Sequence, residues 1–173
     1  MDTLSHGLWG GAVFGQKRKG LWKWAFFWGM APDLFSFGPF FLTHFRLILQ
    51  RWGGHHRLEP PDPSIIPAYV YHAYNVTHSL VIWVLVITLL WTIRRKIPWV
   101  LGAWGLHILC DIPTHRTRFF PTPYLWPFHT PFVNGRRWAR PSFMLANYSL
   151  IAAAYLGIGL YKKVAEKPDQ KQG

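Results

Sequence analysis

His107 and Asp111 lie four residues apart in an otherwise apolar stretch, Ile97 to Ile112. On a helix that spacing puts an imidazole and a carboxylate on one face. Together they can offer a nitrogen and an oxygen ligand to one divalent cation. His115 stands four residues further on. Pro113 disfavours unbroken helix up to it, so His115 would enter from the following turn. The same pair can also be read as a buried neutral His–Asp hydrogen bond. Either way, a carboxylate in apolar surroundings needs a cation or a donor to offset its desolvation.

Of the seven acidic residues, only Asp33 and Asp111 fall at the ends of apolar segments. Ionisable residues in such places usually have partners and often mark function. Asp33, after Pro32, also reads as a helix-end turn or N-cap. Asp2 reads as an N-cap or an interfacial charge. His44 and His129 read as surface or hydrogen-bonded histidines, and His55-His56 as part of a Gly-rich loop. Asn75-Val76-Thr77 is a formal glycosylation sequon. Its neighbour His78, at helical spacing from Tyr74 and Asn75, points instead to a buried polar seam. No H-E-x-x-H, G-x-S-x-G or P-loop sequence occurs. The single cysteine, Cys110, excludes an intrachain disulfide framework and a Cys-based zinc finger, and nothing marks it as a nucleophile.

The elements that must position these groups are apolar. Half of the 173 residues are hydrophobic, 18% are aromatic and 15% are charged, where an ordinary globular domain carries about 25% charge. Disorder and a typical charged soluble surface are both excluded for most of the chain. Leu80 to Ile93 holds no charge, and extended back to Ala68 it makes 26 residues. A span needs about 20 mostly apolar residues. The run stops at Arg94-Arg95-Lys96. Ile97 to Ile112 follows, with Pro98 near its first turn as helices allow. Ser142 to Tyr161 ends at Lys162-Lys163. Leu4 to Gly15 and Leu21 to Met30 are shorter, the second ending at Ala31-Pro32-Asp33. Each makes roughly 20 Å of helix, against a hydrocarbon core of roughly 30 Å. They are short spans or a hairpin partly buried against other helices. Phe40 to Trp52 reads as an interfacial amphipathic helix and Glu59 to Pro67 as a loop. Pro113 to Pro141 is a connection with six prolines, too long for an idle turn.

The expected fold class is therefore all-α: a polytopic membrane helical bundle with about four to five membrane-embedded helices. Residues 1–165 form a single domain and 166–173 a polar tail. If the elements alternate through the membrane, Lys17-Arg18-Lys19, Arg94-Arg95-Lys96 and Lys162-Lys163 fall on one side. His6, Asp33, His72, His78, His107, Asp111 and His115 fall on the other. The lysine side carries 11 of the 19 basic residues and is cytoplasmic by the positive-inside rule. The site then faces the non-cytoplasmic side of a bacterial inner membrane. The formal charge of +12 suits anionic partners. Membrane lipid is the expected one. Nucleic acid is not, because the basic residues divide between two faces. Arg116, Arg118, Arg136, Arg137 and Arg140 lie in or near the long connection, where they can hold a phosphate bidentately or attract lipid headgroups.

These motifs, taken in order, resemble the YdjM family of membrane-bound metal-dependent hydrolases. The matching stretches are Ser5-His6-Gly7, Pro32-Asp33, Thr77-His78-Ser79, His107-x3-Asp111 with Pro113-Thr114-His115, and Leu125-Trp126-Pro127. They cover roughly residues 1 to 130. That family is similar, more distantly, to zinc-dependent phospholipase C and P1-type nucleases. The resemblance implies that His6, Asp33, His78, His107, Asp111 and His115 are metal ligands or their close partners. Many relatives place a His-Arg pair before Thr-His-Ser, whereas this chain has His72-Ala73-Tyr74-Asn75-Val76. No C-terminal His-x3-Glu pair follows, so a full trinuclear site is not expected. The expected function is a membrane-bound hydrolase with a divalent metal, zinc first, acting on a phosphoester of a lipid or membrane-associated substrate. Asp33 or Asp111 could serve as general base rather than ligand. The competing expectation is a non-enzymatic metal-binding or transport-type membrane protein built on the same polar cluster.

Overall fold

The computed structural model describes residues 1–45, 66–129 and 131–165. Among these residues every regular element is helical. In chain order they are α1 (Thr3–Phe14), α2 (Leu21–Thr43), α3 (Ala68–Thr77), α4 (Leu80–Arg94), α5 (Gly102–Asp111, entered through a 3-10 turn Trp99–Leu101) and α6 (Pro141–Ala165). The all-α expectation is met. The amphipathic element expected over 40–52 falls partly on the last turn of α2 and otherwise outside the described residues, as do His55-His56.

Two elements depart from the expected boundaries. The run from Leu21 does not stop at Ala31-Pro32-Asp33. It continues as helix through Pro32 and Pro39 to Thr43. Pro32 removes one amide donor and crowds the carbonyl four residues before it, yet packing against α1 and α5 holds the helix together. Conversely, the apolar run from Ala68 to Ile93 is broken at His78-Ser79, and the two halves meet at 58°. Ser79 is the reason for the break. Its Oγ accepts from the Ile82 amide at 3.3 Å and so caps α4. The same hydroxyl donates to the Trp126 carbonyl at 2.6 Å.

α1 and α2 form an antiparallel hairpin against which α5 packs. The hairpin closes at Gly29. A Cβ there would stand 2.4 Å from the His6 carbonyl oxygen and 3.1 Å from Gly7 Cα. Only glycine permits that approach, and it sets His6 against α2. A second cluster, Phe40, Ile66, Val70, Tyr74 and Phe120, joins α2, α3 and the long connection.

The outer helices differ from this centre. α4 holds no charge before Arg94 and has no buried residue. α6 is long and apolar enough to cross a membrane, yet only 11% of its most apolar window is buried. A soluble core helix would be buried on its apolar face. α3 and α4 meet the same length and hydropathy criterion only when taken together.

Candidate metal centre

Three segments bring four polar side chains together beside Gly29. Asp33 comes from the turn of α2 after Pro32. His78 comes from the α3–α4 break. His107 and Asp111 come from one face of α5. One ligand atom from each lies within 4.8 Å of the other three. His78 and His107 have no side-chain exposure, Asp111 has 1% and Asp33 has 13%.

The histidines are oriented by backbone carbonyls. His107 Nδ1 donates to the Gly29 carbonyl at 2.7 Å. His78 Nδ1 lies 3.2 Å from the Tyr74 carbonyl and 3.0 Å from Thr77 Oγ1. His115 Nδ1 donates to the Phe120 carbonyl at 2.8 Å. Phe120 sits at φ 46°, a left-handed conformation. That is a strained backbone for an aromatic residue, and here it presents its carbonyl to a site histidine. With the Nδ1 proton committed, each ring turns an unprotonated Nε2 inward. Fixing the tautomer this way is how proteins prepare histidine for a metal.

The inward atoms then lack protein partners of opposite character. Nε2 of His78 and Nε2 of His107 face each other at 3.0 Å. Asp111 Oδ2 is buried with no hydrogen-bond partner among the described residues, 3.6 Å from His78 Nε2 and 3.4 Å from His107 Nε2. Asp33 Oδ1 stands 3.4 Å and 3.7 Å from the same two nitrogens. Two lone pairs and two carboxylate oxygens enclose one point. A cation there would satisfy all four, and the group can hold a metal ion.

The other oxygen of Asp111 serves a second neighbourhood. Oδ1 accepts from His6 Nε2 at 2.9 Å and lies 3.4 Å from His115 Nε2. It also receives the Met1 amino group, which lies 3.2 Å from Thr114 Oγ1. The His6 ring stacks on His107 at 3.6 Å, and its Nδ1 has no hydrogen-bond partner among the described residues. Of the six residues singled out from the sequence, four therefore converge on one point. His6 and His115 converge on the far oxygen of the shared carboxylate. His72 is exposed on α3, away from the face that carries Tyr74 and His78.

Several positioning residues carry no metal-binding signature in the sequence. Thr3 Oγ1 donates to Asp33 Oδ2 at 2.7 Å and fixes that carboxylate's outer oxygen. Tyr74 stacks on His78 with ring centroids 3.8 Å apart, and its hydroxyl donates to the Phe120 carbonyl at 3.1 Å. Asp2 caps α1 by accepting from the Ser5 amide at 3.0 Å. It also accepts from Ser5 Oγ at 2.5 Å and from the Tyr148 hydroxyl of α6 at 2.8 Å. Partial burial pushes the Asp2 carboxyl up, but these donors outweigh it and hold it below the usual carboxylate range. Asn147 of α6 completes the link, donating to Ser5 Oγ at 2.7 Å and accepting from Trp9 Nε1 at 3.0 Å.

The arginines of the long connection are exposed. Arg136 and Arg137 are nevertheless carried beside the metal centre by backbone bonds. The Gly135 amide donates to the His115 carbonyl at 2.7 Å, and the Arg136 amide to the Pro113 carbonyl at 2.8 Å. A Cβ on Gly135 would stand 2.4 Å from the Pro113 carbonyl, so this strap needs glycine. Further along, the Leu80 amide donates to Tyr124 O at 2.9 Å. With the Ser79–Trp126 bond, this seats Leu125-Trp126-Pro127 on Thr77-His78-Ser79.

Comparison of the chain with protein-family models, curated proteins and solved structures finds no match in any of the three.

Proposed function

We propose that the protein is a membrane-embedded metal-dependent hydrolase, and that Asp33, His78, His107 and Asp111 hold a zinc ion. The observation that carries the metal is the pair of Nε2 atoms at 3.0 Å, each with its Nδ1 proton committed elsewhere. Five of the six separations among the four ligand atoms run from 3.0 to 3.7 Å, and the sixth, between the two carboxylates, lies within 4.8 Å. Ligands at zinc's bond lengths in a tetrahedron stand about 3.3–3.5 Å apart. Octahedral magnesium would bring neighbouring ligands to about 2.9 Å and prefers oxygen.

A divalent ion kept by three of the four would leave one position for a water, whose pKa it would lower, and would polarise a scissile group. The chain's own residues supply the rest. Asp33 is the most open of the four and, released from the ion, the better placed carboxylate to take a proton from a nucleophile. Thr3 holds its outer oxygen in place. Arg136 and Arg137, strapped beside His115, supply the charge that a phosphoester would need, with Arg116 and Arg118 on the same connection. The apolar, unburied faces of α4 and α6 support a bilayer as surroundings. A lipid or membrane-associated phosphoester is then the substrate within reach. The basic ends at 17–19, 94–96 and 162–163 support a cytoplasmic placement opposite the metal centre, in a bacterial inner membrane with four to five embedded helices.

A non-enzymatic metal site is favoured by one feature, the near-complete enclosure of three ligands, since structural zinc sites are closed. Protein purified without chelator, assayed for bound metals and then screened against phosphomonoesters, phosphodiesters and phospholipids, separates the two. Stoichiometric zinc with metal-dependent turnover supports the hydrolase. Stoichiometric metal with no turnover on any class supports the structural site.

A further inference from the structure

We infer that the groove between α1, α4 and α5 holds one acyl chain of an anionic phospholipid, from the leaflet opposite the metal centre. The groove measures about 370 Å³ and is lined by Phe14, Trp83, Ile87, Trp99, Leu106 and Leu109, among others. No lining residue carries a charge. The Trp83 indole N–H donates to the Leu101 carbonyl at 3.0 Å. The Trp83 ring lies flat on Gly105, where a Cβ would meet it at 2.8 Å. The floor is thus shaped by a missing side chain, and the opening faces the surface on which α4 buries nothing.

The occupant follows from what stands at each end. The groove runs along α5 from Trp99 to Leu109, two residues short of Asp111, so its inner end stops at the depth of the metal centre. Its outer end, Ile97 to Trp99, directly follows Arg94-Arg95-Lys96. There Lys17 places its ammonium 3.5 Å from the Trp99 ring centroid. An uncharged slot with Lys17 at its outer end fits a hydrocarbon chain joined to a phosphate. A zwitterionic headgroup would offset its own phosphate. Anionic phospholipid satisfies both ends. Tryptophan at this depth also suits the headgroup boundary.

The inference rests on the membrane reading but not on hydrolysis, so the experiment tests those separately. Full-length protein in detergent would be offered equimolar phosphatidylglycerol and phosphatidylcholine and examined by native mass spectrometry. The expected result is one retained phosphatidylglycerol, preferred about fivefold, the factor one basic group contributes near a surface. Lys17→Ala should abolish the preference. Leu106→Trp, which fills the slot, should lower retention of both lipids. Lys163→Ala, at the end of α6, should leave the preference intact, and bound metal should be unchanged in all three. Equal retention of the two lipids by the wild type would overturn the inference, as would loss of preference in Lys163→Ala as large as in Lys17→Ala. Vesicle flotation supplies the control. A chain that does not float with vesicles sinks both the membrane reading and the groove. One that floats but shows no preference sinks the groove alone.

Discussion

His78 and His107 point their Nε2 atoms at each other across 3.0 Å while each commits Nδ1 to a backbone carbonyl. Two neutral imidazoles so oriented repel, and burial strengthens the repulsion because no water screens it. A shared cation between them would relieve that repulsion. The carbonyls of Gly29 and Tyr74 would then act on a metal at one remove, by deciding which nitrogen is free.

Asp111→Asn keeps the volume of the side chain and removes its charge from both neighbourhoods. Metal affinity should fall by at least about 100-fold, beyond the usual effect of disturbing an outer partner, and turnover should vanish while membrane insertion persists. His107→Ala should match it, and the double variant should be little worse than either, because ligands of one site act as a unit. Full zinc content in Asp111→Asn, measured by plasma emission, would refute the site.

Thr3→Val removes a hydroxyl and keeps the shape. Asp33 then loses the donor to its outer oxygen. Metal affinity or kcat should drop about 10- to 100-fold, the range for outer-shell partners, with the fold unchanged by circular dichroism. A variant with wild-type zinc affinity and rate would remove Thr3 from the site.

Arg136→Ala and Arg137→Ala should raise KM more than they lower kcat on a phosphoester, as loss of uniform binding does. Gly135→Ala should mimic them without touching an arginine, because the added methyl forces the strap off Pro113. Unchanged kinetics in all three would assign these arginines to headgroup attraction.

Single cysteines at Lys19 and Arg95 should react with an impermeant reagent from one side of sealed vesicles, and one at Arg118 from the other. Labelling of all three from the same side would exclude the alternating arrangement.

The Asp2 carboxyl is held below its usual range, so its contribution to stability is present above about pH 3.9, its unfolded value, and is lost as pH falls through the folded value. Between pH 5 and pH 3 the wild type should therefore lose more Tm than Asp2→Asn. Equal losses would mean that the bonds from Ser5 and Tyr148 do not favour the charged form.

The chemistry of the site was more legible in the sequence than its support. The i, i+4 pair on α5 could be read directly, because helical spacing alone fixes which faces two residues share. Asp33 and His78 could be named but not placed, since their convergence depends on α2 continuing through Pro32 and on the chain breaking at Ser79. The first departure comes from packing; the second comes from Ser79, which caps α4 and bonds the distant Trp126 carbonyl. Proline ordinarily ends a helix, and an apolar run with no glycine or proline ordinarily continues one. The roles of Thr3, Tyr74 and Asn147 left no signal, because a lone hydroxyl or amide in an apolar helix has many ordinary uses. Gly135 was invisible for another reason: its function is to lack a side chain opposite a backbone 20 residues away in sequence.

Gly29 has the same character with wider reach. It lets α1 close on α2 beside His6, and its carbonyl holds the His107 proton. A single methyl group at this position would disturb two helices and a tautomer at once, although nothing at residue 29 ever touches the ion. A survey of variants scored for zinc retention would therefore find residue 29 as intolerant as the ligands themselves. A ligand can be exchanged for another that suits a different metal. Position 29 admits no such exchange, so any change of metal at this site would have to proceed around a residue that contributes no side chain at all.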